Sequence, residues 1–119
     1  MRAFLPLLVW VVVVWTIGGL DPVPGASEAT DRFDKVGHLA MYGGLGFLCG
    51  RAWRSIDGRA AAAAVFILLA LAFGAADEWR QLWLDGRSAS VADWIADAAG
   101  VLGGFFLAAS FFGRQRQRT

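Results

Sequence analysis

The residues able to do chemistry in this chain recur at helical spacing. Asp34 and His38 are four apart, and Lys35, His38 and Tyr42 fall at i, i+3 and i+7. Each set therefore shares one face if the segment is helical. Glu78 and Gln81 are three apart, and Asp93, Asp97, Gly100 and Gly104 form a stripe. The stretch from Asp77 to Asp97 holds half of the chain's ten acidic residues, with Arg87 after an Asp85-Gly86 turn signal. His38 can serve as a general base, a metal ligand or a hydrogen-bonding strut. Glu78 and Asp93 are the other candidate acid/base groups. Lys35, Tyr42, Gln81, Arg87 and Asp97 are candidate ligand-binding groups, with Arg87 suited to a phosphate or carboxylate.

Each residue also has a structural reading. Arg87 can pair with Asp85 or Asp93, Glu78 and Gln81 can brace His38 across a helix interface, and Tyr42 can bond Asp97. Asp34 is expected to cap a helix. An Asp97 among apolar side chains needs a cation or donor, which Lys35 or Arg87 can supply. His38 with Glu78, Asp93 and Asp97 has the donor types for a divalent ion. No H-x-x-x-H or E-x-x-H pattern supports one, so neither metal nor cofactor is expected.

The elements that must position these groups are greasy. Of 119 residues, 57% are hydrophobic, mean hydropathy is +0.52 and net charge is +1. Such a length gives a single domain, residues 1–119. The eleven basic residues form no long stripe, so no nucleic-acid partner is expected. Cys49 has no second cysteine to pair with and reads as a packing residue. Four apolar stretches, about 3–20, 36–53, 60–77 and 92–112, fit membrane spans. The first has the length of an uncleaved span rather than a signal peptide. Pro22, Pro24 and Gly25 predict irregular structure after it, with Ser27 to Asp31 irregular or a short interfacial turn. Gly46-x-x-x-Gly50 has the spacing of a close helix contact, whereas Gly43-Gly44 weakens the second helix locally. In the third, Phe66, Ile67, Leu68, Leu69, Leu71 and Phe73 supply lipid-facing bulk. Ser90 is expected to cap the fourth by accepting from the Asp93 amide.

The fold expected is thus all-α, a four-helix transmembrane bundle. Arg51, Arg54, Arg59 and the three arginines of the tail mark the inner side, placing both termini in the cytoplasm. That topology gathers Asp34, Lys35, His38, Glu78, Gln81, Arg87, Asp93 and Asp97 at the outer face.

Four motifs, Asp34-Lys35-x-x-His38-x-x-x-Tyr42, Asp77-Glu78-x-x-Gln81, Gly86-Arg87-x-x-Ser90-x-x-Asp93 and Asp97-x-x-Gly100-x-x-x-Gly104, occur here in order. Together, across roughly residues 30–108, they resemble the VanZ-like family of small bacterial membrane proteins. The resemblance implies a four-helix protein of the bacterial cytoplasmic membrane, a cell-envelope context, and the link to glycopeptide (teicoplanin) resistance of the name-giving member. Many relatives carry Asn where this chain has Asp97, and Pro-Gly where it has Asp85-Gly86. An outer-face site of this kind would bind or act on a lipid-linked or cell-wall ligand, with an anionic lipid head group as partner. The alternatives are a non-catalytic envelope or amphiphile-binding factor and, last, a proton-linked transporter subunit.

Overall fold

A computed structural model of the chain describes residues 1–20, 28–56, 58–84 and 90–117, with the side chains of 28–34 and 115–117 left aside. Among the described residues there are four helices and no strand. They are α1 (Phe4–Gly18), α2 (Glu28–Ile56), α3 (Ala60–Gln81) and α4 (Val91–Gln117). They pack into a body 53 × 24 × 22 Å.

α1 is apolar apart from Thr16, with Pro6 in its first turn, where a missing N–H costs little. It stops at Gly18, and the Gly19 amide bonds back to the Trp15 and Thr16 carbonyls. α2 is longer than its apolar run. Glu28 to Asp31, expected to be irregular or a short interfacial turn, are part of this long helix. Beyond Gly25 the sequence holds no breaker, and Glu28 and Ala29 favour helix. Asp34 therefore lies inside α2 and does not cap it. Gly43-Gly44 does not interrupt α2 either, because packing outweighs propensity there. Gly58, at φ +68°, turns the chain towards α3, and its N–H donates to the Trp53 carbonyl at 3.3 Å. α4 begins as expected, with the Asp93 amide donating to Ser90 Oγ at 3.0 Å.

α2 and α4 form the closest pair. A Cβ at Gly46 would overlap the Val101 carbonyl, and one at Gly104 the Gly43 carbonyl. A Cβ at Gly100 would sit 2.7 Å from the Leu39 carbonyl, and one at Gly50 2.8 Å from that of Phe105. Glycine at these positions lets two backbones touch. Around this seam a core forms from Tyr42, Leu45, Cys49 and Trp53 of α2, Val101 and Phe105 of α4, Ala70 of α3 and Val14 of α1.

α3 presents Ala70, Gly74, Asp77, Glu78 and Gln81 inward. Leu68 and Leu69 are exposed, as expected of lipid-facing bulk, but Phe66, Ile67, Leu71 and Phe73 lean on the core. α1 covers that face, so only part of α3 points outward. Ala60–Gln81 and Val91–Arg114, at mean hydropathies of 2.1 and 1.7, are long and apolar enough to cross a membrane. Leu5, Leu8, Val12, Leu69, Phe106 and Leu107 leave an apolar outer surface larger than isolated exposed residues would make.

The seam makes a signed prediction. Gly46→Ala and Gly104→Ala should lower stability by about 1–3 kcal/mol by overpacking. Gly103→Ala, with nothing within 4 Å of the new Cβ, should leave stability unchanged or raise it. Unfolding of the purified protein in mixed detergent micelles measures all three.

Candidate functional site

The inward stripes of α2, α3 and α4 meet in a layer of buried polar side chains. His38, Tyr42, Asp77, Glu78, Gln81 and Asp97 are each at most 6% exposed. Burying so many polar groups is costly unless each is satisfied or used. The layer divides into two groups.

The first group ties three helices together. Tyr42 donates to Asp77 Oδ2 at 3.1 Å. Asp77 Oδ1 pairs at 2.5 Å with Arg80, one turn further along α3. Arg80 Nη2 also donates to the Trp15 carbonyl at 2.7 Å, and its guanidinium lies 3.8 Å from the centre of the Trp15 ring. Arg80 thus adds a second, shorter hydrogen bond to a carbonyl in the last turn of α1, which the Gly19 amide also reaches. Gly18 makes room, since a Cβ there would come within 2.8 Å of Asp77 and Arg80. Asp77 stands in a sequence motif but carries no assigned role there, and Arg80 is not among the candidates. Their i, i+3 spacing was visible, but their partners Trp15 and Tyr42 lie on other helices.

The second group holds the stronger candidates for chemistry. His38 Nδ1 lies 2.8 Å from Asp97 Oδ1 and 4.0 Å from Glu78 Oε1. Three helices each contribute one member. The His38 ring stacks on Tyr42 at 6.3 Å and 7°. Gly74 opens space for Tyr42 and Asp97, with a hypothetical Cβ 3.3 Å from the Tyr42 ring. Glu78 Oε2 accepts from the Ser90 amide at 3.4 Å, whereas Glu78 Oε1, Asp97 Oδ2 and Gln81 Nε2 find no hydrogen-bond partner among the described residues. Beside Glu78 an open groove of about 360 Å³ runs between α3 and α4, lined by Ala75, Trp79, Leu82, Ser90, Val91 and Trp94. It is apolar apart from Glu78 and the Ser90 hydroxyl, so it offers an acyl-like surface ending at a carboxylate.

His38, Tyr42, Glu78, Gln81 and Asp97 are therefore brought together. Lys35 is exposed, one turn before His38, and Asp93 is half-buried at the start of α4. Tyr42 bonds Asp77 rather than Asp97, and Asp97 meets His38 instead, not Lys35. Arg87 and the expected Arg87–Asp85 or Arg87–Asp93 pairing lie outside the described residues.

A family model described as VanZ/LLP1 matches residues 3–112, nearly the whole chain. The chain belongs to the VanZ/LLP1 family. The match runs from α1 into the last turns of α4, so every helix that contributes to the polar layer is within the VanZ/LLP1 region. Membership, with two helices of membrane-crossing length, marks the chain as a membrane protein. No curated protein and no solved structure matches it.

The Tyr42–Asp77 bond should be measurable. Tyr42→Phe is expected to cost about 0.5–2 kcal/mol, the range of interhelical hydrogen bonds in membrane proteins. Combined with Asp77→Asn, the two changes should cost less than their sum, since they share one contact. Lys35→Ala should leave stability unchanged. Unfolding in mixed micelles tests all four variants.

Proposed function

We propose that this VanZ/LLP1 protein is a four-span protein of the bacterial cytoplasmic membrane, one domain with both termini inside, that binds an amphiphile at its outer face. All four helices serve as spans, with Arg51, Arg54, Arg59 and the arginine tail held on the cytoplasmic side. The polar layer then lies toward the outer leaflet.

The observation that carries the reading is the groove ending at Glu78. Its apolar walls suit a chain, and Trp79 and Trp94 suit the interface between lipid and water. Its polar end has a buried carboxylate oxygen with no partner among the described residues. A ligand with an apolar tail and a hydroxyl, amide or anionic head matches both ends. A lipid-linked or cell-wall precursor has that chemistry, as does a glycopeptide-related amphiphile. Glu78 contacts the head, His38 and Asp97 hold Glu78's surroundings in place, and Lys35 adds positive charge at the rim. Arg87 joins the reading by its place in the sequence, as a second cation for an anionic head. Should the ligand be transformed, Glu78 is the group placed to move a proton.

Two measurements test this. Reporter fusions should place residues 57–59 and the C-terminus inside and residues 85–89 outside; the opposite arrangement sinks the outer-face assignment. Purified wild-type protein should carry an envelope lipid enriched over bulk extract. Ala75→Trp, which fills the groove, should remove it. Glu78→Gln should weaken retention about 10- to 100-fold, as expected for losing a charge-assisted hydrogen bond. A new lipid species accumulating in cells carrying Glu78→Gln would show turnover as well as binding. No enrichment in the wild type would contradict the proposal.

A further inference from the structure

The second polar group offers more than a contact for a head group. His38 Nδ1, a Glu78 carboxylate oxygen and an Asp97 carboxylate oxygen all lie within 4.8 Å of one another, and all three residues are buried. An acidic cluster alone would mean little. Here the oxygen that faces the imidazole at 4.0 Å, Glu78 Oε1, has no hydrogen-bond partner among the described residues, and neither has Asp97 Oδ2. Two buried acceptors thus point to a cation that the described side chains do not supply. Arg80, the cation nearby on α3, is engaged by Asp77. When both are ionised, Glu78 and Asp97 carry two negative charges beside a single imidazole.

We propose that His38, Glu78 and Asp97 form a binding site for one divalent first-row transition cation of the Zn²⁺ or Mn²⁺ type. One imidazole nitrogen with two carboxylates is a donor set for such ions, whereas Ca²⁺ and Mg²⁺ favour oxygen alone. Ligands at about 2.1 Å in tetrahedral array lie roughly 3.4 Å apart. The observed separations of 2.8 and 4.0 Å straddle that value. One contact must open and the other close by a little over half an ångström each, within the reach of side-chain rotation. Three protein ligands leave a fourth position, and the groove that Glu78 lines is the route by which water or an anionic head group would reach it. The ligands come one from each of three helices, so no short spacing along the chain announces them. The proposal stands on the three side chains and not on the groove being filled.

The test uses the full chain in detergent, stripped with chelator, freed of lipid and equilibrated with Zn²⁺, Mn²⁺ or Ca²⁺. Elemental analysis should find one Zn²⁺ or Mn²⁺ per chain and no retained Ca²⁺. Glu78→Gln and Asp97→Asn, close in shape to the originals, should each abolish retention. Cys49→Ala, which removes the single thiol, and Ala75→Trp, which fills the groove, should keep the ion. Loss of lipid with the ion kept in Ala75→Trp separates this site from the amphiphile reading. Should the charge-removing variants fail to fold, Co²⁺ added to the wild type decides the matter. Weak visible bands without a thiolate charge-transfer band are expected of a nitrogen and oxygen site. Failure to retain Zn²⁺ or Mn²⁺, retention unchanged by both variants, or a thiolate band would overturn the assignment.

Discussion

The structure depends on how closely α2 and α4 approach. Gly43, Gly46 and Gly50 meet Gly100, Val101, Gly104 and Phe105 backbone to backbone, with no Cβ between them on the glycine side. That contact fixes the distance between the helices and, one turn toward the first loop, brings His38 against Asp97 at 2.8 Å. A methyl group at the seam would push the helices apart and stretch that pair. Packing and chemistry are here one constraint. The seam also explains why Gly43, Gly46 and Gly50 persist in a helix that propensity alone would weaken, and Gly44 makes room for Trp10 of α1.

Given that spacing, the buried polar layer separates into a paired half and an unpaired half. Tyr42, Asp77, Arg80 and the Trp15 carbonyl bond one another, with Arg80 Nε the one atom of the group that has no partner among the described residues, and they tie α1 to α2 and α3. A charge pair this well bonded is a clamp, and removing one partner would strand the other. His38, Glu78 and Asp97 are different. They hold acceptors that nothing among the described residues answers, and they adjoin an open apolar groove. Polar groups in an apolar layer that are not spent on structure are candidates for function. The contrast between these neighbours, which share α2 and α3, is what distinguishes a strut from a site.

Much of this was readable from residue types and spacing. The i, i+4 and i, i+7 offsets placed His38 and Tyr42 on one face, and the Asp97-Gly100-Gly104 stripe named both the inward face of α4 and its close contact. Helical geometry is local, so such facts survive without coordinates. Pairings across helices were not readable. Spacing alone allows Tyr42 to meet Asp97 or Asp77, and only the packing of α2 against α3 selects Asp77. Arg80 has no assignable partner on another helix in the sequence, and only the ending of α1 at Gly18 brings the Trp15 carbonyl to it. The start of α2 was misplaced because Lys35 and Asp34 looked like a boundary, although nothing in their chemistry stops a helix.

α2 and α4 are held so that His38 Nδ1 bonds the Asp97 carboxyl within a buried cluster. The chain has one histidine, so ¹⁵N-labelled histidine reports on that site alone. The metal-free protein should give an Nδ1 resonance displaced from that of a hydrated imidazole. It should move toward the hydrated value in Asp97→Asn. An Nδ1 signal matching imidazole in water, and indifferent to Asp97→Asn, would contradict the account.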